Sequence, residues 1–468
     1  MNKNLLLLNP WIYDFAAYDF WMKPSGLLAV GNYLEKQGYK TYLIDCLDRF
    51  HLLLPKIKNK KNGTGKFIRT IIEKPKILQH IPRNFSRYGL PDEIFQKSLC
   101  QIPEPAVVLV TSGMTYWYPG VQYAIRLVKE KFPHSPVILG GIYATLCRNH
   151  AEATSGADFI ISGAGEKKAL DLVNSLTKNF DNEPTTDFEF PKPTYHYYKK
   201  LVSIPIITSC GCPYHCSFCA SHLISGKFRQ RNPNDVIDEI KFYYEKRKVR
   251  NFAFIDDALL INHQNHISKI LEAIIRSNVK AHFHTPNGLH VKEIDRDLAQ
   301  KMFQANFKTI RLSYETINPS RQKEMGLKVT DDFLISALAN LEKAGFQRRE
   351  IDVYVIMGLP EQSVDEIIES MLFVTSLGAK IKLTSFSPIP GTKDWQRAVV
   401  LHKMSPDIDP LLTNKSIYPL QHSDLSYDTF QELRNLSKVI NYGLDHGVNY
   451  FDQSKLAKYV QKFIKSKH

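Results

Sequence analysis

The chain has 468 residues, 43% of them hydrophobic and 23% charged, with a formal net charge of +14. This length predicts two or three domains, the composition excludes wholesale disorder, and no apolar run reaches the ~18 residues of a membrane span. The positive charge suits nucleic acid, a membrane surface or an anionic substrate, but the lysines are scattered, which favours a lysine-rich surface over nucleic-acid binding.

Short apolar runs alternate with helical patterns over residues 1–180. In chain order we expect a strand, a helix, two strands, a helix and two strands, at Leu5–Asn9, Pro24–Gln37, Thr41–Asp45, Ala106–Thr111, Pro119–Lys131, Val137–Leu139 and Phe159–Ile161. The alternation predicts an α/β fold with a doubly wound parallel sheet, a Rossmann-like domain. The first run is too short for a signal peptide and lacks a cleavage site, so we expect a cytoplasmic protein.

The carboxyl ends of these strands predict a cofactor site. Ligands of open parallel sheets bind beyond that edge. Polar or small residues follow the predicted strands there, and we expect them to contact a cofactor: Asn9, Thr111, Ser112, Gly140, Gly141 and Gly163.

Two segments break the pattern of alternating elements. Residues 49–103 are basic, carry prolines and lack periodicity, so we interpret them as a long insertion that contains short helices or covers a site. Residues 181–200 are polar and proline-bearing, which predicts a linker between two domains.

A second βα series follows over residues 201–400. Strands are expected at Ile204–Ser209, Asn251–Ile255, Lys280–Thr285, Thr309–Ser313, Ile351–Met357 and Lys380–Phe386. Six βα units predict a partial (βα)6 TIM barrel. Residues 401–468 are polar with a helical pattern and predict a carboxyl-terminal helical extension.

Three cysteines crowd the loop after the first strand of this series. Cys212, Cys216 and Cys219 have C-x3-C-x2-C spacing. Their density indicates metal ligation in a reducing compartment and not a disulfide framework. Thiolates favour zinc or iron–sulfur clusters. Structural zinc needs four ligands, and Cys210, His215 or His222 would supply the fourth.

This loop resembles that of the radical S-adenosylmethionine (SAM) superfamily, with Phe218 at its aromatic position. The chain is similar, over residues ~1–395, to the class with an N-terminal cobalamin-binding domain; further shared motifs begin at Gly140, Gly163, Thr208, Phe254, Thr285 and Pro388. The resemblance implies a [4Fe-4S] cluster held by the three cysteines. SAM would bind the open iron and be cleaved reductively to a 5′-deoxyadenosyl radical, so a low-potential donor such as a flavodoxin or ferredoxin is expected.

Polar and small residues end the other predicted barrel strands. We expect contacts to SAM from Asp256, Asp257, Thr285, Asn287, Ser313, Glu315 and Gly358. The aspartates also suit a helix cap or a turn, and Thr285 and Asn287 lie in a turn-forming context. Gly358 would let the backbone approach adenine closely. Cys210 has no assigned role, and packing is its expected one.

Cobalamin is an expected further cofactor, although the lower-ligand signature Asp-x-His-x-x-Gly is absent after the first strand. The aromatic segment Met114–Tyr118 suits either a wall for the corrin ring or ordinary core packing. The predicted function is methylation or carbon-skeleton modification of a small molecule, lipid or natural-product precursor. The alternatives are an RNA-modifying radical enzyme, which performs methylation or methylthiolation, and a non-catalytic iron–sulfur or corrinoid-binding regulator.

Overall fold

The computed structural model describes residues 2–55, 60–179, 190 and 192–447. Residues 181–189 and 191 of the predicted linker, together with residues 448–468 of the predicted extension, lie outside the described residues. Across the part of the chain that is described, no helix combines the length and apolar composition that crossing a membrane requires.

Among its described residues, the N-terminal half forms eight strands and six α-helices. The strands are β1 (Asn4–Asn9), β2 (Ile12–Asp14), β3 (Lys40–Asp45), β4 (Arg69–Ile71), β5 (Ser86–Tyr88), β6 (Val107–Val110), β7 (Val137–Leu139) and β8 (Phe159–Ile160). The helices are α1 (Ser25–Lys36), α2 (Asp92–Cys100), α3 (Tyr118–Lys131), α4 (Ile142–Leu146), α5 (Arg148–Thr154) and α6 (Glu166–Thr177).

Five of these strands make the predicted parallel sheet, in the order β3-β1-β6-β7-β8. The four leucines of β1 are fully buried because helices cover both faces, as the continuous apolar run predicts. Pro119 lies in the first turn of α3, where its missing N–H costs nothing. The Rossmann-like prediction is therefore confirmed.

The insertion is structured. Strand β5 pairs with both β2 and β4 in a small antiparallel sheet of order β2-β5-β4. Phe85 and Phe95 pack into the N-terminal core and are buried. The insertion also contains the short helix α2, in line with the expectation of short helices or a cover over a site. Strands β4 and β5 were not predicted, because strands of three residues carry too little alternation to be recognised from sequence.

The C-terminal half contains nine strands and nine helices within the described residues. The strands are β9 (Ser203–Ile206), β10 (Ser209–Cys210), β11 (Arg229–Gln230), β12 (Asn251–Phe254), β13 (His282–His284), β14 (Leu289–His290), β15 (Phe307–Glu315), β16 (Ile351–Met357) and β17 (Lys380–Ser385). The helices are α7 (Ser221–Ser225), α8 (Pro233–Lys246), α9 (Ile267–Arg276), α10 (Arg296–Gln304), α11 (Pro319–Glu324), α12 (Asp331–Ala344), α13 (Val364–Ser376), α14 (Lys393–Leu401) and α15 (Tyr427–Asp445).

Six parallel strands form the partial barrel, in the order β17-β16-β15-β13-β12-β9, and β14 adds to β15. The ends of each strand lie within two residues of the predicted ones, except that β9 ends at Ile206 and the predicted end of this first strand splits off as β10. The (βα)6 prediction is confirmed.

The segment after α14 joins the two halves. Leu411 and Ile417 belong to the core of the N-terminal half, whereas Phe430 of α15 belongs to the barrel core. Asn414 Nδ2 donates to Asp14 Oδ1 at 3.0 Å. The extension therefore clamps both halves together.

The N-terminal half also closes the amino end of the barrel. Trp21 is 2% exposed, and its ring stacks on His284 of β13 with centroids 4.4 Å apart. Asn251 Nδ2 at the start of β12 donates to the Lys61 carbonyl at 3.4 Å. The barrel interior is therefore covered at this end and is reached from the carboxyl ends of its strands.

Candidate functional site

The cysteine loop leaves the barrel at the carboxyl end of β9. Cys216 is buried, and Cys212 and Cys219 are half-buried. The Cys219 N–H donates to the Cys216 carbonyl at 3.0 Å, which makes a tight turn. Cys216 packs in an apolar cluster with Met325 and Trp395. The apolar cluster thus supports one side of the loop, while Cys212 and Cys219 remain partly exposed.

Burial and neighbouring charge set the electrostatics of these thiols. Burial raises the pKa of the Cys212 thiol to about 11 and also raises that of Cys216, where the Lys328 ammonium opposes the rise. Lys328 is buried, with Nζ 3.4 Å from Glu315 Oε1 and 5.6 Å from the Phe218 ring centre. A cation beside three thiols favours their thiolate form.

Sequence reasoning missed Lys328. It lies on the loop after α11, thirteen residues beyond Glu315 at the end of β15, so a search limited to strand ends does not reach it. The available signal was that Lys328 lies between the apolar residues Leu327 and Val329. A lysine buried in such surroundings needs a partner of opposite charge.

The cysteines fit a cluster better than one ion. Within the described residues, no three or more histidine, cysteine, aspartate or glutamate side chains stand close enough to share a single metal ion. A structural zinc ion needs four such ligands around it, so the zinc alternative does not fit. In an iron–sulfur cluster each thiolate binds a separate iron, so three spaced thiols on one loop are compatible with it.

Asp256 ties the first two barrel strands together. Its Oδ1 accepts hydrogen bonds from Thr208 N and Oγ1, at 2.8 and 2.9 Å, and from Ser209 Oγ at 2.7 Å and Ser209 N. Its buried Oδ2 has no hydrogen-bond partner among the described residues. Burial raises the pKa of this carboxyl to about 6. Oδ2 is therefore an acceptor that a bound amino group would satisfy.

The other predicted strand-end residues have mixed surroundings. Asp257 is exposed, and Ser313 is buried. Thr285 Oγ1 donates to the Thr309 carbonyl at 3.0 Å. Asn287 Nδ2 donates to the carbonyls of Ile255 and Asp256, at 2.9 and 3.2 Å. The side chains of Thr285 and Asn287 thus brace the strand ends.

Glu315 and Gly358 adopt left-handed backbone conformations, with φ of 72° and 88°. This conformation strains a residue such as Glu315 that carries a Cβ, and its side chain is held against Lys328. A Cβ at Gly358 would lie 2.9 Å from Cζ of Phe430. Close packing of α15 therefore explains the glycine, and its contact with adenine stays a prediction.

A cavity of about 410 Å³ lies at the carboxyl edge of the N-terminal sheet. All six residues predicted for that edge line it: Asn9, Thr111, Ser112, Gly140, Gly141 and Gly163. The barrel supplies the facing wall, which consists of Ile207, Cys210, Ile224, Ser225 and Arg229. The structure thus gives Cys210 a place in this wall, where burial raises the pKa of its thiol to about 11.

The cavity has apolar walls with a few polar groups at the sheet edge, which suits the amide-fringed corrin ring of cobalamin. A Cβ at Gly26 would meet no atom within 4 Å, so this part of the wall is open. Trp117 of the predicted aromatic segment lines the cavity, whereas the Tyr118 hydroxyl donates to Asp409 Oδ2 at 3.0 Å. No histidine occurs among the described lining residues, in agreement with the missing lower-ligand motif.

Lys23 is a lining residue that sequence reasoning missed. Its Nζ lies 3.6 Å from Asp48 Oδ1 and 3.9 Å over the Tyr198 ring. It follows β2, a strand too short to predict, so its position at this edge had no sequence signal.

Comparisons with known proteins agree with this geometry. Residues 206–374 match the family model described as the Radical SAM superfamily. An uncharacterized methyltransferase of Pyrococcus horikoshii is 23% identical over 345 residues, covering 66% of this chain and 74% of that protein. The bacteriochlorophyllide d C-12(1)-methyltransferase of Chlorobaculum tepidum is 27% identical over 277 residues, covering 55% of this chain and 58% of that protein.

The overall fold has a solved counterpart. The radical SAM methyltransferase TsrM from Kitasatospora setae, with cobalamin and a [4Fe-4S] cluster bound, superposes with a TM-score of 0.63 at 16% identity. The alignment covers 86% of this chain and 79% of that chain. Residues 206–374 therefore match the radical SAM superfamily, and the fold of the whole chain is similar to that of cobalamin-bound TsrM.

Proposed function

We propose that this protein is a cobalamin-binding radical SAM enzyme that methylates a small molecule or modifies its carbon skeleton. One observation carries the proposal: the cavity of the N-terminal sheet is closed by the segments that flank the cysteine loop. Cys210 precedes Cys212 by two residues, and α7, which contributes Ile224, begins two residues after Cys219. Two cofactor sites would therefore share one wall.

The residues on both sides of that wall have separate tasks. Cys212, Cys216 and Cys219 would hold the cluster, and Lys328 would offset the negative charge of their thiolates. Asp256 Oδ2 would accept a hydrogen bond from the amino group of SAM. When bound, the cluster and SAM supply a 5′-deoxyadenosyl radical, and cobalamin supplies a methyl carrier. The covered amino end of the barrel keeps bulk water from the reacting centre.

Methyl transfer is supported by the names of the relatives. Both curated relatives described above are methyltransferases, one of which acts on a bacteriochlorophyllide. We infer a small-molecule or lipid substrate and a low-potential electron donor. No feature of the described residues specifically favours an RNA substrate, and a regulator without catalysis would not need an orphaned acceptor beside the cysteine loop.

Anaerobic reconstitution tests this function. The protein loaded with iron and sulfide should release 5′-deoxyadenosine from SAM under reduction, and should retain hydroxocobalamin after desalting. Cys216→Ala should lose both iron and cleavage, whereas the exposed Cys100→Ala should behave as the wild type. Iron retained in Cys216→Ala would overturn the ligand assignment, and absence of the hydroxocobalamin absorbance from the desalted protein would overturn the cobalamin site.

A further inference from the structure

Helix α14 presents a stripe to solvent that is basic at one end and apolar at the other. Lys393, Arg397 and Val400 are spaced so that their side chains lie on one face. Val400 is 73% exposed, and Leu401 beside it is 46% exposed. The one acidic residue of this helix, Asp394, is buried. Adjacent exposed apolar side chains with a charged rim are typical of protein-binding surfaces.

The inner face of α14 packs behind the cysteine loop. Trp395 and Ala398 share an apolar cluster with Cys216. Asp394 Oδ2 accepts a hydrogen bond from Ser217 Oγ at 2.8 Å, and the Asp394 N–H donates to the Ser217 carbonyl at 3.0 Å. One helix, about 10 Å thick with its side chains, therefore separates the surroundings of Cys216 from the exposed stripe.

The charge around the stripe is positive. Arg397 bridges Glu324 and Asp394, with Nη1–carboxylate distances of 2.7 and 3.0 Å, so one cation there faces two carboxylates. Lys323 and Lys393 are exposed beside this group and Lys403 follows the helix, so four cations outnumber the two carboxylates. A positive surface attracts an acidic partner and speeds its association.

We propose that the α14 face (Lys393, Arg397, Val400 and Leu401) is the docking surface for a small acidic one-electron carrier protein of the flavodoxin or ferredoxin type. The inference rests on the proposed function, because each SAM cleavage consumes one electron. The carrier loses one electron and is oxidised, and the [4Fe-4S] cluster gains that electron and is reduced. The lysines orient the carrier, and the two apolar side chains form the centre of the contact.

Paired double variants test this surface. Lys393→Glu/Val400→Ser changes the α14 face, and Lys343→Glu/Ile335→Ser makes the same kind of change at exposed positions of α12. We would measure the dissociation constant of oxidised flavodoxin by calorimetry at low salt. We would also measure the rate of cluster reduction, by reduced flavodoxin and by dithionite, in stopped-flow experiments.

The α14 variant should bind flavodoxin about tenfold more weakly and accept its electron about tenfold more slowly, because charge reversal in a rim lowers the association rate. Its reduction by dithionite and all properties of the α12 variant should match the wild type. Equal affinities and rates in both variants would overturn the docking surface, even with an intact, dithionite-reducible cluster. So would a wild-type dimer in sedimentation that the α14 variant disrupts, since a second copy would then cover this face. A wild-type protein without a cluster would count against the proposed function alone, since flavodoxin affinity is measured separately.

Discussion

At the scale of single residues, Asp256 concentrates four hydrogen bonds on one carboxylate oxygen. These bonds fix Thr208 and Ser209, which begin the segment that leads to the cysteine loop. The carboxylate therefore links the position of the loop to strand β12. Its second oxygen is buried without a hydrogen-bond partner among the described residues, and it is the acceptor proposed for the amino group of SAM.

We expect Asp256→Asn to weaken both stability and SAM binding. An amide offers one acceptor oxygen and places two N–H donors in a buried site, so the free energy of unfolding should fall by about 1–3 kcal/mol. Urea unfolding and calorimetric titration with SAM measure the two effects. Asp238→Asn, at an exposed position of α8, is the control. Equal stability of Asp256→Asn and the wild type would contradict this bracing role.

His284 makes stability depend on pH. Burial lowers the pKa of its imidazole to about 3 in the folded chain, against 6.5 without burial. As pH falls below 6.5, the His284 imidazole binds a proton in the unfolded chain but stays neutral in the folded chain. The free energy of unfolding therefore falls. The slope due to this residue approaches about 1.4 kcal/mol per pH unit until the folded pKa is reached.

His284→Asn should remove that contribution, while the exposed His134→Gln should leave the slope as in the wild type. Urea unfolding at pH values between 6.5 and 5 measures the slope. An unchanged slope in His284→Asn would show that the imidazole is protonated in the folded protein.

At the scale of elements, the loop after β7 depends on a glycine. Gly141 has φ of 94°, and a Cβ there would lie 2.4 Å from the Ser112 carbonyl oxygen. Gly141→Ala should therefore displace the loop that lines the cavity and weaken cobalamin binding about tenfold or more, because the backbone on both sides must move. Equilibrium binding of hydroxocobalamin measures the effect.

Gly26→Ala is the matched control, since this glycine lines the same cavity and its Cβ would meet no atom within 4 Å. Any loss of affinity in Gly26→Ala would come from contact with the cofactor itself. Equal affinities of Gly141→Ala and the wild type would refute the predicted displacement.

Long elements were predictable from sequence because their signals are local. The run Leu5–Asn9 and the proline of α3 mark elements through their own residues, and the carboxyl ends of the strands then locate the cavity. Strand β4 and the position of Lys23 were not predictable, because both depend on contacts with residues that are distant in sequence. The sequence located the loop that contains Cys210. It did not predict that Cys210 lines the cavity, because that position depends on how the two halves pack together.

At the scale of the whole molecule, Trp21 couples the two halves. Its ring is buried on His284, and its backbone has φ of 64°, which a bulky residue adopts only when its surroundings require it. Trp21→Ala should lower the free energy of unfolding by about 3–5 kcal/mol. The neighbouring Phe20→Ala should cost less, since Phe20 is 39% exposed. Unfolding in guanidinium chloride measures the free energy of unfolding of both variants. Equal losses would contradict the role of Trp21 in joining the two halves.

The clamp formed by the carboxyl-terminal segment has a consequence for biosynthesis. Leu411 and Ile417 complete the core of the sheet that begins at Asn4. A ribosome delivers the chain from its amino end, so the core of this sheet is completed only after residues about 400 positions further along the chain have been made. Cofactor capture by that sheet would then follow synthesis of this segment, and a translation product interrupted before it would keep an incomplete core that is prone to aggregate.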